Sequence, residues 1–184
     1  PYELCPNGFM AMWEHVRSWR RQRNAGSTAD GPLKFLDLGS GRGGVCIMAA
    51  LLVGAAATGI EMDKELHDAA VEWHRRLAER APILKLSMEA QQKRLINGNF
   101  LNHPEPVAEA DIIFSNNLCF DSASDSRGSL NGQLYQLLLR HAKKPGVCIV
   151  TSSSIATTSP KSGLQQQGGP FQLPKDSVSW TDKT

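Results

Sequence analysis

Apolar positions along this chain follow two alternating rhythms. Near the start, Phe9, Met12, Trp13 and Val16 recur at three- and four-residue spacing. That period predicts an amphipathic helix over residues 7–23, with Asn7 as its cap and Arg17, Arg20, Arg21 and Arg23 on its other side and end. A Gly/Ser/Asp-rich loop follows over 24–32. Residues 34–38 form a short apolar run that stops at glycines, which predicts a buried strand. An apolar helix over 43–53 comes next, then a strand over 58–62 closing on Glu61. Residues 64–80 read as a charged amphipathic helix with Leu66, Ala70, Trp73 and Leu77 on one face, ended by Pro82. Residues 83–92 fit no single period. Further strands are expected at 94–96, 111–115 and 146–152, with a helix over 130–143 before a Pro-Gly turn. Strands alternating with helices imply crossover connections, hence an α/β fold with a Rossmann-like parallel sheet and helices on both faces. Beyond Ser152 the pattern decays into Ser, Thr, Gly, Gln and Pro, and 157–170 reads as a flexible loop.

The first predicted strand ends in Asp37-Leu38-Gly39-Ser40-Gly41-Arg42-Gly43-Gly44. Glycines at a strand-to-helix junction let the backbone turn sharply and approach a ligand that meets the amides of the helix start. Gly39, Gly41 and Gly44 also satisfy the GxGxxG spacing of dinucleotide-binding loops, so the glycines alone leave a nicotinamide-dependent dehydrogenase open. Asp37 argues otherwise. Its carboxylate would repel a pyrophosphate and attract a cationic amino group, as carried by S-adenosylmethionine, which has no phosphate. Glu61, at the end of the second strand, suits ribose hydroxyls in either class of enzyme. Asn99 can hydrogen-bond an adenine edge and Phe100 can stack on its face, although core packing is an equal reading of Phe100. The segment Ser115-Asn116-Asn117-Leu118-Cys119-Phe120 follows another strand, at the sheet edge where ligands of such folds gather.

Composition narrows the picture only slightly. The chain has 184 residues, 41% hydrophobic and 21% charged, with a formal net charge of +2. It suits one compact domain and permits a nucleic-acid partner without demanding one. The apolar run over 45–57 is too short and too rich in Ala and Gly to span a bilayer, and residues 1–6 carry no signal-peptide pattern, so no membrane association is expected. Cys5, Cys46, Cys119 and Cys148 lie far apart without a CxxC pair; neither a metal site nor a disulfide framework is expected, and a reducing compartment is the default. His67, His74, His103 and His141 fall on predicted helices or loops away from strand ends and read as structural.

Six motifs taken together resemble the histone H3 lysine methyltransferases of the disruptor-of-telomeric-silencing family. They are Phe35-Leu-Asp-Leu-Gly-Ser-Gly-Arg-Gly, Gly59-Ile-Glu, Gly98-Asn-Phe-Leu, Ile113-Phe-Ser-Asn-Asn-Leu-Cys-Phe, Ile149-Val-Thr-Ser-Ser and Ser177-Val-Ser-Trp-Thr. The glycine loop is generic to class I methyltransferases; the Asn-Asn-x-x-Phe segment and the late Trp-Thr are more specific. The resemblance implies a class I methyltransferase sheet whose cofactor is S-adenosylmethionine, released as S-adenosylhomocysteine. It implies cofactor contacts from Glu3, Asp37, Gly39, Ser40, Gly41, Gly43, Glu61, Asn99, Phe100 and Asn116. Asn116 would also stand at the mouth of a lysine channel, with Phe120 and Trp180 among its walls. The implied organisation is one catalytic domain over 1–184. Residues 1–32 would supply a helix and a cofactor-covering segment, 33–152 the core, and 153–184 the substrate-channel loops. The nucleosome, through histone H3, is the implied substrate, with nonspecific DNA contact through the basic residues and a nuclear location.

The chain departs from the family pattern at several points. Tyr2 is one place out of register with the family's Tyr-Gly-Glu-Thr loop, Asn99 stands where Asp is usual, and Gly44 replaces a Gln. The chain also stops at Thr184, before the Tyr-rich strand that normally follows Trp-Thr. Three other readings stay open: a class I methyltransferase acting on RNA or a small molecule, the dehydrogenase, and a cofactor-binding scaffold without catalysis.

Overall fold

The computed structural model describes residues 2–22, 31–80, 94–120, 124–125, 128–153, 155 and 178–180. The predicted segments 24–30, 83–92 and 157–170, and Arg23, lie outside the described residues. The chain divides into two compact units, Pro1–Gly31 with Gln166–Thr184, and Pro32–Gln165.

In the first unit, β1 (Tyr2–Leu4) pairs antiparallel with β9 (Val178–Trp180), setting Tyr2 opposite Trp180 and Glu3 opposite Ser179. Helix α1 (Pro6–Gln22) buries Phe9, Met12, Trp13 and Val16, as their spacing predicts. The rings of Phe9 and Trp13, one turn apart, stack at 6.3 Å between centroids. Arg20 and Arg21 occupy the last turn, where cations complement the helix dipole.

The second unit holds a five-stranded parallel sheet of β2 (Lys34–Leu38), β3 (Ala56–Glu61), β4 (Leu95–Asn97), β5 (Ile112–Ser115) and β8 (Cys148–Thr151). Its order is β4-β3-β2-β5-β8. The chain starts in the middle, winds outward to β4, then crosses back to β5 beside β2. The strand order therefore reverses between β2 and β5, and it is at the carboxyl ends of such a reversal that sheets of this kind bind their ligands. Right-handed crossovers put α2 (Gly44–Val53) and α3 (Lys64–Arg80) on one face, with α4 (Pro104–Glu109) and α5 (Leu130–His141) on the other.

Residues alternate across the sheet. Leu36 and Leu38 of β2 join Ile60, Ile113, Val107, Leu134, Leu137 and Leu138 in the core under α4 and α5. Burying each such side chain contributes roughly 1.5–3 kcal/mol. Asp37, between the two leucines, consequently faces the other side of the sheet.

Three expectations change. Helix α3 turns Ala70, His74 and Ala78 inward, while Trp73 is 57% exposed. The inward stripe runs at four-residue spacing through small residues and a histidine, so the largest apolar side chain misled the reading of its face. Helix α4 goes unpredicted because two prolines, Pro104 and Pro106, occupy its six residues; Pro104 stands where the missing amide costs nothing. The hairpin β6 (Ser124–Asp125) with β7 (Gly128–Ser129) and the β1–β9 pair are also absent from the sequence reading, being only two and three residues per strand. Caps set the major helices: Asp63 Oδ1 accepts the amides of Glu65 and Leu66 at the start of α3, and Ser129 Oγ accepts that of Gly132 at the start of α5.

Candidate functional site

The glycine loop carries the chain from β2 into α2. Gly39, Gly41 and Gly43 have φ of 80°, 53° and 75°, backbone that L side chains rarely adopt, so the loop's shape requires glycine at all three. The amides of Gly39 and Ser40 both donate to the Ile60 carbonyl, at 2.9 and 3.1 Å, drawing the loop over the end of β3. Gly59 makes that approach fit: a methyl group there would lie 2.8 Å from Ser40 Oγ and 2.9 Å from Cys46 Sγ. The hydroxyl of Ser40 thus lies over the strand at Gly59.

Glu61 ends β3 with its carboxylate clamped by backbone. Its Oε2 accepts the Gly41 amide at 2.7 Å and its Oε1 accepts the Asp63 amide at 2.8 Å. Each oxygen keeps further lone-pair capacity. The Glu61 carbonyl in turn accepts Gly98 N–H at 2.9 Å and Asn97 Nδ2 at 3.0 Å, which fastens β4 and the turn after it to the same corner.

Asp37 lies between Gly59 and Phe114 in register and is 2% exposed. Burial, reinforced by the negative charge of Glu61, pushes its carboxyl up to about 8 from an ordinary 3.8. The same burial, with Asp37 beside it, holds the Cys46 thiol protonated. A carboxyl in this state is held neutral unless a cation comes beside it.

After β4, Asn99 Oδ1 accepts Leu101 N–H at 2.9 Å and so caps the short 3₁₀ turn Phe100–Asn102. Phe100 is buried in the core cluster and stacks on Phe120, with centroids 5.7 Å apart and planes 19° from parallel. The Phe120 ring also covers the loop, since a methyl group at Gly39 would lie 3.5 Å from its Cζ. The structure therefore brings Phe120 to Gly39 and Phe100, two residues expected at the cofactor.

After β5 the two asparagines part company. Asn117 is fully buried: its Nδ2 donates to Asn131 Oδ1 at 2.8 Å and to the Ser153 carbonyl at 3.2 Å, and its Oδ1 accepts Ser153 N–H at 2.8 Å. It ties β5 to the start of α5 and to the segment after β8. Asn116 is half-buried, and its Oδ1 accepts the Ser152 hydroxyl at 2.7 Å. Ser115 Oγ donates to the Leu38 carbonyl at 3.0 Å, bridging the two strands at the reversal point.

Asp37, Gly39, Ser40, Gly41, Gly43, Glu61, Asn99, Phe100, Asn116 and Phe120 thus all stand at or beside the carboxyl ends of β2 to β5. Glu3 and Trp180 belong to the other unit, where only their backbone is described. The sequence reading quoted Gly59 and Ser152 only within family motifs and gave them no role; a glycine two residues before a strand-end acid and a serine just past β8 are the signals that mark them. His103 also stands closer to the strand ends than expected, its ring lying against Gly98 just after β4. Among the described residues no group of three or more His, Cys, Asp or Glu could hold a metal ion, and no helix is long and apolar enough to cross a membrane.

A reversal between β2 and β5, a glycine loop at that point and an acid ending the next strand define a Rossmann-like, nucleotide-binding type of parallel sheet. Within it the chain belongs to the family described as "Histone methylation protein DOT1", whose model matches residues 30–184. It is 28% identical over 160 residues to the "Histone-lysine N-methyltransferase, H3 lysine-79 specific" of Eremothecium gossypii, a match covering 80% of this chain. It is 25% identical over 159 residues to the protein of the same name from Dictyostelium discoideum, covering 82% of this chain. The chain spans only 26% and 8% of the length of these two relatives. Among solved structures it is similar to an RNA methyltransferase from Salinibacter ruber in complex with S-adenosyl-L-homocysteine, at TM-score 0.48 and 22% identity over 89% of this chain and 95% of that one. A putative sarcosine dimethylglycine methyltransferase from Galdieria sulphuraria aligns at TM-score 0.49 and 15% identity, over 75% and 46% of the two chains.

Proposed function

We propose that this chain, working as one catalytic domain, binds S-adenosylmethionine along the carboxyl edge of its sheet and transfers the methyl group to a lysine in the nucleosome core of histone H3, leaving S-adenosylhomocysteine. Membership of the DOT1 family over residues 30–184 carries the reading. The state of Asp37 supports the cofactor: a buried carboxyl pushed up to about 8 suits a ligand that brings an ammonium group and no phosphate.

When bound, S-adenosylmethionine supplies a methyl carbon made electrophilic by its sulfonium, with a neutral thioether as leaving group. In this reading Asp37 receives the ammonium group, and the backbone of Gly39, Ser40, Gly41 and Gly43 shapes the space beside it. Glu61 offers its remaining lone pairs to the ribose hydroxyls while its bonds to Gly41 and Asp63 keep it in place. Asn99 retains one Oδ1 lone pair and its Nδ2 for the adenine edge, and Phe100 and Phe120 supply the apolar surface beside it. Asn116, held at its oxygen by Ser152, orients the reacting groups by hydrogen bonding. Phe120 lines the lysine channel.

The chain's main task is alignment and exclusion of water. A lysine amine attacks only when uncharged, and its ordinary pKa is about 10.4. Apolar walls disfavour the ammonium form, so the departing proton can go to solvent without a dedicated base. Arg17, Arg20, Arg21 and Arg23 are the proposed contacts to DNA phosphates, by counterion release, and the site of action is the nucleus.

Incubation with methyl-labelled S-adenosylmethionine and either intact nucleosomes or free histones tests the proposal. Label on a lysine of nucleosomal histone H3 is the expected result. Binding without transfer to any substrate would instead identify a scaffold, and label on RNA alone would move the chain to another substrate class.

A further inference from the structure

His74 lies midway along α3 and is 1% exposed. Its Nδ1 is 2.8 Å from the Ala70 carbonyl oxygen, which can only accept, so Nδ1 carries the hydrogen. The other nitrogen, Nε2, is then a bare acceptor; it is shut off from solvent and has no hydrogen-bond partner among the described residues. An apolar ring of the same shape would avoid that cost, so an imidazole here needs a reason beyond filling space.

The ring rests on the glycine loop. A methyl group at Gly43 would lie 3.1 Å from His74 Cε1 and 3.1 Å from Ala70 Cβ, so α3 leaves the loop no slack at this point. Gly43 is where the loop becomes helix: its N–H donates to the Ser40 carbonyl at 2.9 Å, and its own carbonyl accepts Ile47 N–H at 3.0 Å as the first bond of α2. Whatever moves His74 therefore moves the junction on which the loop's shape depends.

We infer that His74 is a positioning residue for the cofactor loop, seating Gly43 and the start of α2 only while its ring is neutral. The inference rests on the cofactor reading given above. Protonation would place a hydrogen on Nε2 with no acceptor, and a charge in an enclosed site. The ring would have to leave, and Gly43 would lose its support.

Among the described residues no ionised side chain acts on the ring to compensate that charge. The loop and α2 carry two ionisable side chains, Arg42, which is exposed, and Cys46, whose thiol stays protonated. On α3 itself Lys64 pairs with Asp68, Glu72 with Arg75 and Arg76, and Arg75 with Glu79, while Glu65 and Arg80 are exposed at its ends. Burial accordingly holds the ring's pKa below its ordinary 6.5, with the Ala70 carbonyl opposing in part.

The test uses the full, isotope-labelled chain without cofactor, titrated from about pH 8 to about pH 5, where a histidine changes charge. The backbone amide signals of Gly41 and Gly43 should move with the same midpoint as the His74 ring. Loop amides that stay still while His74 titrates would overturn the inference. A second arm measures S-adenosylhomocysteine binding calorimetrically across the same range. Below the His74 midpoint the affinity of the natural chain should fall about tenfold more per pH unit than that of H74F, because one additional proton is linked to release. Superimposable profiles would also overturn it. H74L serves if H74F does not fold. No binding even at about pH 8 counts against the cofactor reading, while the cofactor-free titration still decides the role of His74.

Discussion

The carboxylate of Glu61 accepts the Gly41 amide at 2.7 Å, joining the end of β3 to the middle of the loop that leaves β2. One side chain therefore shapes the loop and also raises the pKa of Asp37 through its charge. E61Q separates these roles. It keeps one acceptor oxygen, sets an NH₂ group against one of two backbone amides, and removes the charge. Losing a hydrogen bond to a charged group costs about 1.5–3 kcal/mol. Cofactor affinity should fall roughly 10- to 100-fold, since about 1.4 kcal/mol is tenfold. The Asp37 titration, followed as the inflection of the affinity–pH profile, should move below about 8.

Asp37 sets opposite demands on stability and binding. Its folded-state pKa, about 8, is raised above the ordinary 3.8. The fold thus favours the protonated form; that stability is fully present below about pH 4 and is lost as pH rises through about 8. D37N removes the titration. Without cofactor it should melt higher than the natural chain at and above pH 8, with the difference shrinking toward pH 4, by scanning calorimetry. Its cofactor affinity should fall at least about tenfold, because one opposite-charge contact is gone.

Cofactor binding to the natural chain should also release a proton below about pH 8, as an ammonium group draws the Asp37 carboxyl into its charged form. Calorimetry in buffers of different ionisation enthalpy reads this directly. Above the His74 midpoint, where that ring is already neutral, the released proton should vanish in D37N. Uptake of a proton, or no buffer dependence, would mean that no cation meets Asp37.

Phe100 and Phe120 form a stacked pair at 5.7 Å. Such pairs contribute about 0.5–1.5 kcal/mol beyond the area they bury. A double-mutant cycle with F100L and F120L should return a coupling energy of that size in denaturant unfolding. The same cycle repeated on cofactor affinity should show coupling as well, because Phe120 also covers Gly39.

The adjacent asparagines predict contrasting variants. N117A removes the buried hydrogen bonds to Asn131 Oδ1 and to the carbonyl and N–H of Ser153 and should destabilise the fold by about 2–3 kcal/mol. N116A, at a half-buried position, should change stability by no more than about 0.5 kcal/mol while lowering methyl transfer. Equal losses of stability from the two would contradict this division.

The alternation of short apolar runs with periodic helices was enough to read a parallel sheet, and β2 and α3 end where the sequence predicts. That works because a buried parallel strand must be apolar along its length and its crossover helix amphipathic, both being local constraints. The glycine loop with Asp37 and Glu61 was legible for the same reason, since steep turns demand glycine and strand-end acids stand out against apolar runs. The pairing of β1 with β9, a contact between Tyr2 and Trp180 across the whole chain, leaves no local signal in three-residue strands.

Which of two adjacent asparagines is structural was likewise undecidable from sequence, because that depends on Asn131 and Ser153 arriving from distant segments. The same holds for Phe120, which the motif assigned to a lysine channel and the fold stacks on Phe100. It holds also for His74, whose burial and approach to Gly43 come from the packing of α3 on the loop. Sequence by itself determined the strands of the parallel sheet, its longer helices, the loop and the acids, through backbone geometry and hydrophobic period. Tertiary structure alone decided their partners and protonation, because burial and hydrogen bonding depend on what segments far apart in the chain bring to one place.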